Sequence, residues 1–136
     1  MTKVLIIDDE QAILGSLSSI LRDEGFDVSA ARDGKEGLAL FEKEKPRIVL
    51  LDIWMPEMDG LEVLRLVRER DPEAVVIVIS GHGTISTAVE AVKMGATDFL
   101  EKPLSIEKVL EVIQRGLAGK GNGKEKTGDD VRIEIA

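Results

Sequence analysis

Ile48-Val-Leu-Leu-Asp52-Ile-Trp-Met-Pro-Glu-Met-Asp-Gly60 decides how this chain is built. Four consecutive branched apolar residues with no polar alternation read as a strand buried on both faces, as in a parallel sheet covered by helices. Such a strand delivers Asp52 to the carboxyl edge of its sheet. An unpaired charge leaving a buried strand costs several kcal/mol unless something compensates it, so packing alone does not account for Asp52.

The segments on either side repeat the pattern. Lys3 to Ile7 is a short apolar run ending at Asp8-Asp9, and Gln11 to Glu24 then places Ile13, Leu14, Leu17, Ile20 and Leu21 at helical spacing. Gly25 closes this helix, Asp27 to Ala31 is a second, weaker strand, and Asp33-Gly-Lys-Glu36 is a capping box for a helix carrying Leu38, Leu40 and Phe41. Pro46 separates that helix from the central strand.

Beyond Asp52, the turn Met55 to Gly60 leads to a helix with Leu61, Val63, Leu64 and Val67, stopped by Asp71-Pro72. Val75 to Ile79 is another continuous branched run, ending at Ser80-Gly81. A fourth helix from Ile85 to Met94 is expected to bury Ala88, Val89 and Val92, with Gly95 at its end. Thr97 to Leu100 forms a short fifth strand, Lys102-Pro103 a turn, and Ser105 the N-cap of a last helix with Val109, Leu110, Val112, Ile113 and Leu117.

Strands alternating with helices imply parallel pairing, right-handed crossovers and helices on both faces. The expected fold class is therefore α/β: a doubly wound five-stranded parallel sheet, flavodoxin-like (βα)5, with strand order 2-1-3-4-5. In that order the ligand site lies at the carboxyl ends of strands one and three, which here carry Asp8, Asp9 and Asp52.

Composition bounds the rest. The 136 residues, 43% of them apolar, suffice for one domain with a core. Residues 1–118 are expected to form it, and the Gly/Lys-rich 119–136 a flexible linker or tail, with Val131 to Ile135 alternating like a lone strand. There is no cysteine, hence no disulfide and no thiolate metal site, and no apolar run is long enough to span a bilayer. The amino-terminal apolar run is cut short by two carboxylates and reads as a strand, not a signal peptide, so a cytoplasmic location is expected. A net charge of −8 argues against this segment gripping nucleic acid by itself.

Three carboxylates converging from two strand ends repel one another unless a cation sits among them. With no His or Cys in the cluster the ligands are all oxygen, which suits Mg²⁺ and argues against zinc. Taken singly, Asp9 could be a helix cap and Asp52 a turn acceptor. Ser80 supplies a hydroxyl at the same edge and Lys102 a point charge of the kind that binds phosphate, although either could be a cap or a solvated surface group. Together they compose a phosphoryl site in which Asp52 is free to act as nucleophile.

Ile6-Ile-Asp-Asp-Glu10, Leu51-Asp-Ile-Trp-Met-Pro-Glu-Met-Asp-Gly60, Val78-Ile-Ser-Gly-His82 and Phe99-Leu-Glu-Lys-Pro103 together resemble the receiver domain of bacterial two-component response regulators. The resemblance covers residues 3 to 118. Through Ser80-Gly-His-Gly-Thr84 and Ala96-Thr-Asp-Phe-Leu-Glu-Lys-Pro103 it is most similar to the nitrogen-regulation type, whose members often precede a sigma-54-activating ATPase and a DNA-binding domain.

The resemblance implies that Asp52 accepts a phosphoryl group from a sensor histidine kinase. It further implies that Asp9, Asp52 and the backbone carbonyl of Trp54 hold Mg²⁺, with Asp8 assisting through water. Ser80 would move toward the acyl phosphate, Lys102 would pair with its oxygen, and Phe99 would be an aromatic switch turning inward behind Ser80. Core packing is the plainer reading of Phe99. Lys102-Pro103 would be cis, and Trp54 and His82 would flank the acyl phosphate and tune its hydrolysis. The expected readout is a phosphorylation-dependent homodimer acting through the fourth helix, fifth strand and last helix, with transcription as the output.

Other readings fit less well. Gly81-His-Gly-Thr-Ile-Ser86 imitates a dinucleotide fingerprint but lacks its third glycine and follows the fourth strand. An aspartyl-phosphate phosphohydrolase of the haloacid-dehalogenase type would place its nucleophile after the first strand in Asp-x-Asp spacing, unlike Asp8-Asp9-Glu10. A receiver-like module that is never phosphorylated would not need the acidic trio.

Overall fold

The computed structural model describes residues 1–54, 60–81 and 85–122, with side chains for all of these except 85 and 120–122. In chain order the elements are β1 (Lys3–Ile7), α1 (Gln11–Asp23), β2 (Asp27–Ala31), α2 (Gly34–Glu44), β3 (Ile48–Asp52), α3 (Gly60–Arg70), β4 (Val75–Ser80), α4 (Ile85–Lys93), β5 (Asp98–Glu101) and α5 (Ile106–Asn122). The strands pair in parallel in the order β2-β1-β3-β4-β5.

Alternation along the strands divides the core into two layers. Val4, Ile6, Ile48, Leu50, Ile77, Ile79 and Leu100 pack with α1 and α5, while Leu5, Ile7, Val49, Leu51, Val76 and Val78 pack with α2, α3 and α4. β3 and β4 are buried along their whole length, which is why they carry uninterrupted branched runs. The same parity, continued past the apolar residues, assigns Asp8, Asp52 and Lys102 to the α1/α5 side and Ser80 to the other. The sheet's pleat thus selects which polar groups meet.

Local chemistry sets the ends. Asp33 caps α2 by accepting the Glu36 N–H at 2.8 Å, and the Glu36 carboxylate accepts the N–H of Arg32, one residue earlier than a standard capping box uses. Ser105 Oγ accepts the Lys108 N–H and starts α5. After α1 and α4 the chain turns through Gly25 (φ 95°) and Gly95 (φ 111°), in the left-handed region that favours glycine.

Two expectations need correction. On α4 the inward residues are Ala88 and Ala91, whereas Val89 and Val92 are 49% and 45% exposed. Ala88, Val89, Ala91 and Val92 cover about half the helix, and the pattern does not say which pair faces in; small alanines let α4 settle close to the sheet and leave the valines outside. The second correction is Phe99, which is 43% exposed and not a core residue. β5 is an edge strand running Asp98–Glu101, one residue later than expected, and only Leu100 in it is buried. Separately, α5 runs to Asn122, past the composition change after Ala118 and through both Gly119 and Gly121. The turn at 55–59, His82 and residues 123–136 lie outside the described residues.

Candidate functional site

Four strand ends converge at the carboxyl edge. Asp52 is the last residue of β3 and Ser80 the last of β4, while Asp8 and Lys102 follow β1 and β5 directly. The ladder extends through these junctions: Asp8 N–H donates to Ala31 O at 3.1 Å, Ile53 N–H to Ile79 O at 3.1 Å, and Lys102 N–H to Ser80 O at 2.9 Å. Each functional residue is therefore placed by sheet register.

Asp8 and Asp52 share one local design. Asp8 Oδ1 accepts the Glu10 N–H at 2.9 Å and Asp52 Oδ1 accepts the Trp54 N–H at 3.0 Å, so each carboxylate turns the chain out of its strand with one oxygen and keeps the other. The turn-acceptor role considered for Asp52 is real, but it occupies a single oxygen. The capping role considered for Asp9 is not observed: the N-cap of α1 is Glu10, and its side chain makes no capping bond.

Both Asp8 and Asp52 are buried and Asp9 is exposed, and one carboxylate oxygen from each lies within 4.8 Å of the others. Lys102 Nζ reaches this cluster from β5, 3.4 Å from Asp52 Oδ2 and 3.6 Å from Asp8 Oδ2, and it forms a closer ion pair with Glu10 Oε1. The Asp8 contact is Coulombic only. At that distance it is not a hydrogen bond, and Asp8 Oδ2 is a buried oxygen with no hydrogen-bond partner among the described residues. Burial, reinforced by the Asp52 charge, pushes the Asp8 carboxyl from the usual 3.8 up to about 6, against the pull of the Glu10 N–H and Lys102. Burial also presses on the Lys102 ammonium, but the Glu10 hydrogen bond and the charges of Asp52, Asp8 and Glu10 outweigh it and hold its pKa above that of an ordinary lysine.

An orphaned, buried carboxylate oxygen facing two further carboxylates fits a hard divalent cation. Asp8, Asp9 and Asp52 could hold it, as their composition suggested. Ser80 is buried beside this edge, its carbonyl bound to Lys102, and the Lys102-Pro103 peptide is cis. Trp54 sits two residues from Asp52 and is largely exposed. Sequence reasoning passed over Glu10 as a partner of Lys102. No local pattern could have signalled it, since 92 positions separate the two.

The response regulator receiver domain model matches residues 4–114. The chain belongs to the response regulator receiver family. This receiver is 43% identical over 116 residues to the nitrogen assimilation regulatory protein NtrX of Azorhizobium caulinodans, covering 84% of the chain and 26% of that protein. It is 42% identical to the chemotaxis protein CheY of Listeria monocytogenes, covering 85% of the chain and 98% of CheY. Among solved structures, the receiver domain of NtrX from Brucella abortus superposes with a TM-score of 0.81 at 41% identity, covering 85% of this chain and 98% of that one. The chain spans about a quarter of the length of the NtrX relatives it matches. Receivers are signalling switches and not conventional enzymes, which sets the phosphohydrolase and dinucleotide readings aside. Among the described residues no helix is long and apolar enough to cross a membrane.

Proposed function

We propose that this receiver is a phosphorylation-activated switch in which Asp52 takes a phosphoryl group from the phosphohistidine of a sensor kinase, with Mg²⁺ present. The observation that supports it most is the meeting of Asp8, Asp9, Asp52 and Lys102 at one sheet edge, one Asp8 oxygen buried with no hydrogen-bond partner among the described residues. An Asp52 carboxylate oxygen attacks phosphorus, the P–N bond to the donor imidazole breaks, and the departing ring nitrogen takes a proton from solvent. Bound Mg²⁺ would neutralise charge on the phosphoryl oxygens, held by Asp9, Asp52 and the Trp54 backbone carbonyl, with Asp8 assisting through water.

The chain's own groups do the rest. Trp54 N–H fixes the orientation of Asp52 through Oδ1, and the Lys102 ammonium, already 3.4 Å from Oδ2, pairs with a phosphoryl oxygen. Ser80 turns its hydroxyl toward the acyl phosphate. The family resemblance gives Trp54 and His82 the role of setting how fast water hydrolyses the acyl bond, bulky Trp54 slowing it; unaltered autodephosphorylation in Trp54→Asn would refute that role.

These charge-assisted contacts bias a two-state rearrangement of α4 and β5, with Phe99 moving inward behind Ser80. Val89, Val92 and Phe99, all exposed, belong to the surface that changes and support phosphorylation-dependent self-association there. The output is transcriptional control in the cytoplasm, through further segments of the kind the longer NtrX relatives have room for.

The test is intact mass after incubation with phosphoramidate, with and without Mg²⁺, on the native chain and Asp52→Ala. One Mg²⁺-dependent phosphoryl adduct, absent from the variant, is expected. A folded chain that gains no adduct, or gains one equally in Asp52→Ala, would refute the assignment.

A further inference from the structure

Glu10 occupies the N-cap of α1 in an extended conformation (φ −88°, ψ 111°), yet its carboxylate caps nothing. Its N–H is held by Asp8 Oδ1 at 2.9 Å, which fixes the backbone, and its side chain reaches across to Lys102. Of the carboxylates around Lys102 Nζ among the described residues, Glu10 is the nearest; Asp52 Oδ2 accepts a longer hydrogen bond at 3.4 Å, and Asp8 Oδ2 at 3.6 Å is an ion-pair contact only. The Glu10 side chain is 56% exposed and that of Asp8 fully buried, so Glu10 draws the ammonium toward the rim of the site and away from its floor. Asp8 Oδ2 has no hydrogen-bond partner among the described residues.

We infer that Glu10 is a positioning residue for the cation site: it holds Lys102 toward the rim and so loosens its hold on Asp8 and Asp52, which a divalent cation needs. The physical reason is competition. Lys102 and Mg²⁺ are attracted to the same carboxylates, and an ammonium with no other anion in reach settles on Asp52 and Asp8, where the metal must displace it. A carboxylate at the rim offers that ammonium an alternative close enough for it to return to a phosphoryl oxygen. The inference rests on the reading of Asp8, Asp9 and Asp52 as a Mg²⁺ site.

Removing the Glu10 charge would weaken any nearby cation a little, so the test must separate that general effect from one acting through Lys102. Mg²⁺ dissociation constants are measured by calorimetry on the full chain, Glu10→Gln, Lys102→Met and the double variant, each checked for folding by far-UV circular dichroism. An exposed ion pair's strength predicts that Glu10→Gln weakens Mg²⁺ binding about two- to fivefold when Lys102 is present, and less than about 1.5-fold in the Lys102→Met background.

Equal weakening in both backgrounds, or none in either, overturns the inference while leaving the Mg²⁺ site standing. No Mg²⁺ binding by the native chain overturns the site reading and this inference with it. Should Lys102→Met not fold, the ¹³Cε resonance of Lys102 is followed through a Mg²⁺ titration of the native chain and Glu10→Gln. A larger displacement in the variant is expected, and equal displacements refute the role of Glu10.

Discussion

Asp8→Asn tests the electrostatics of the site without any phosphodonor. In the folded chain the Asp8 carboxyl titrates near 6, in the unfolded chain near its usual 3.8. Between these values the folded state binds more protons than the unfolded one, so stability falls as pH rises through this window and levels off above about 6. At about 1.4 kcal/mol per tenfold, the ionised form of Asp8 costs the metal-free fold about 3 kcal/mol at pH 7.5 and about half that at pH 5. Asparagine removes the charge, keeps an oxygen for the Glu10 N–H and turns its amide toward Asp52. The variant is therefore expected to be more stable than the native chain by about 1–3 kcal/mol at pH 7.5 in EDTA.

Urea unfolding followed by far-UV circular dichroism at the two pH values measures this directly. The gap should shrink by about half at pH 5, where the native chain carries the proton itself. Saturating Mg²⁺ should narrow or reverse it, since metal binding stabilises the native chain and the variant has lost a ligand. A variant less stable than the native chain at pH 7.5 without metal would refute the reasoning, as would a gap independent of pH.

Gly60→Ala would place a Cβ 2.4 Å from Ile53 Cα and 2.8 Å from Asp52 O, backbone that cannot give way locally; a loss of about 1–3 kcal/mol in urea unfolding is expected, with slower phosphorylation of a displaced Asp52. Gly15→Ala, in the middle of α1 with open space around its Cβ, should stabilise the fold by about 0.5–1 kcal/mol in the same assay. Arg68 donates to the carbonyls of Gly95, Asp71, Pro72 and Ala74, joining the end of α3 to the end of α4; Arg68→Met should cost about 2–4 kcal/mol and raise amide exchange at Gly95 and Ala96.

Periodicity and punctuation made the element order, the parallel sheet and its strand order legible from the sequence, because buried strands such as Val75–Ser80 must be continuously apolar and their crossovers have one hand. The same logic singled out Asp8, Asp9, Asp52, Ser80 and Lys102, since residues at strand ends inherit their meeting place from the sheet. Facing was harder wherever two choices were equally apolar, as with Ala88/Ala91 against Val89/Val92 on α4, or where a strand lies at an edge, as with Phe99. There the outcome depends on how closely one element can approach another.

Tertiary structure alone decided which oxygens remain free and which ion pairs form. One Asp8 oxygen is spent on the Glu10 N–H and the other has no hydrogen-bond partner among the described residues, while Lys102 pairs with Asp8, Asp52 and Glu10 and lies nearest Glu10. Sequence determines which charges the fold brings to the edge, because register is a local, periodic property. How those charges divide among themselves depends on differences of a few tenths of an ångström and on burial, and both exist only once the strands have packed.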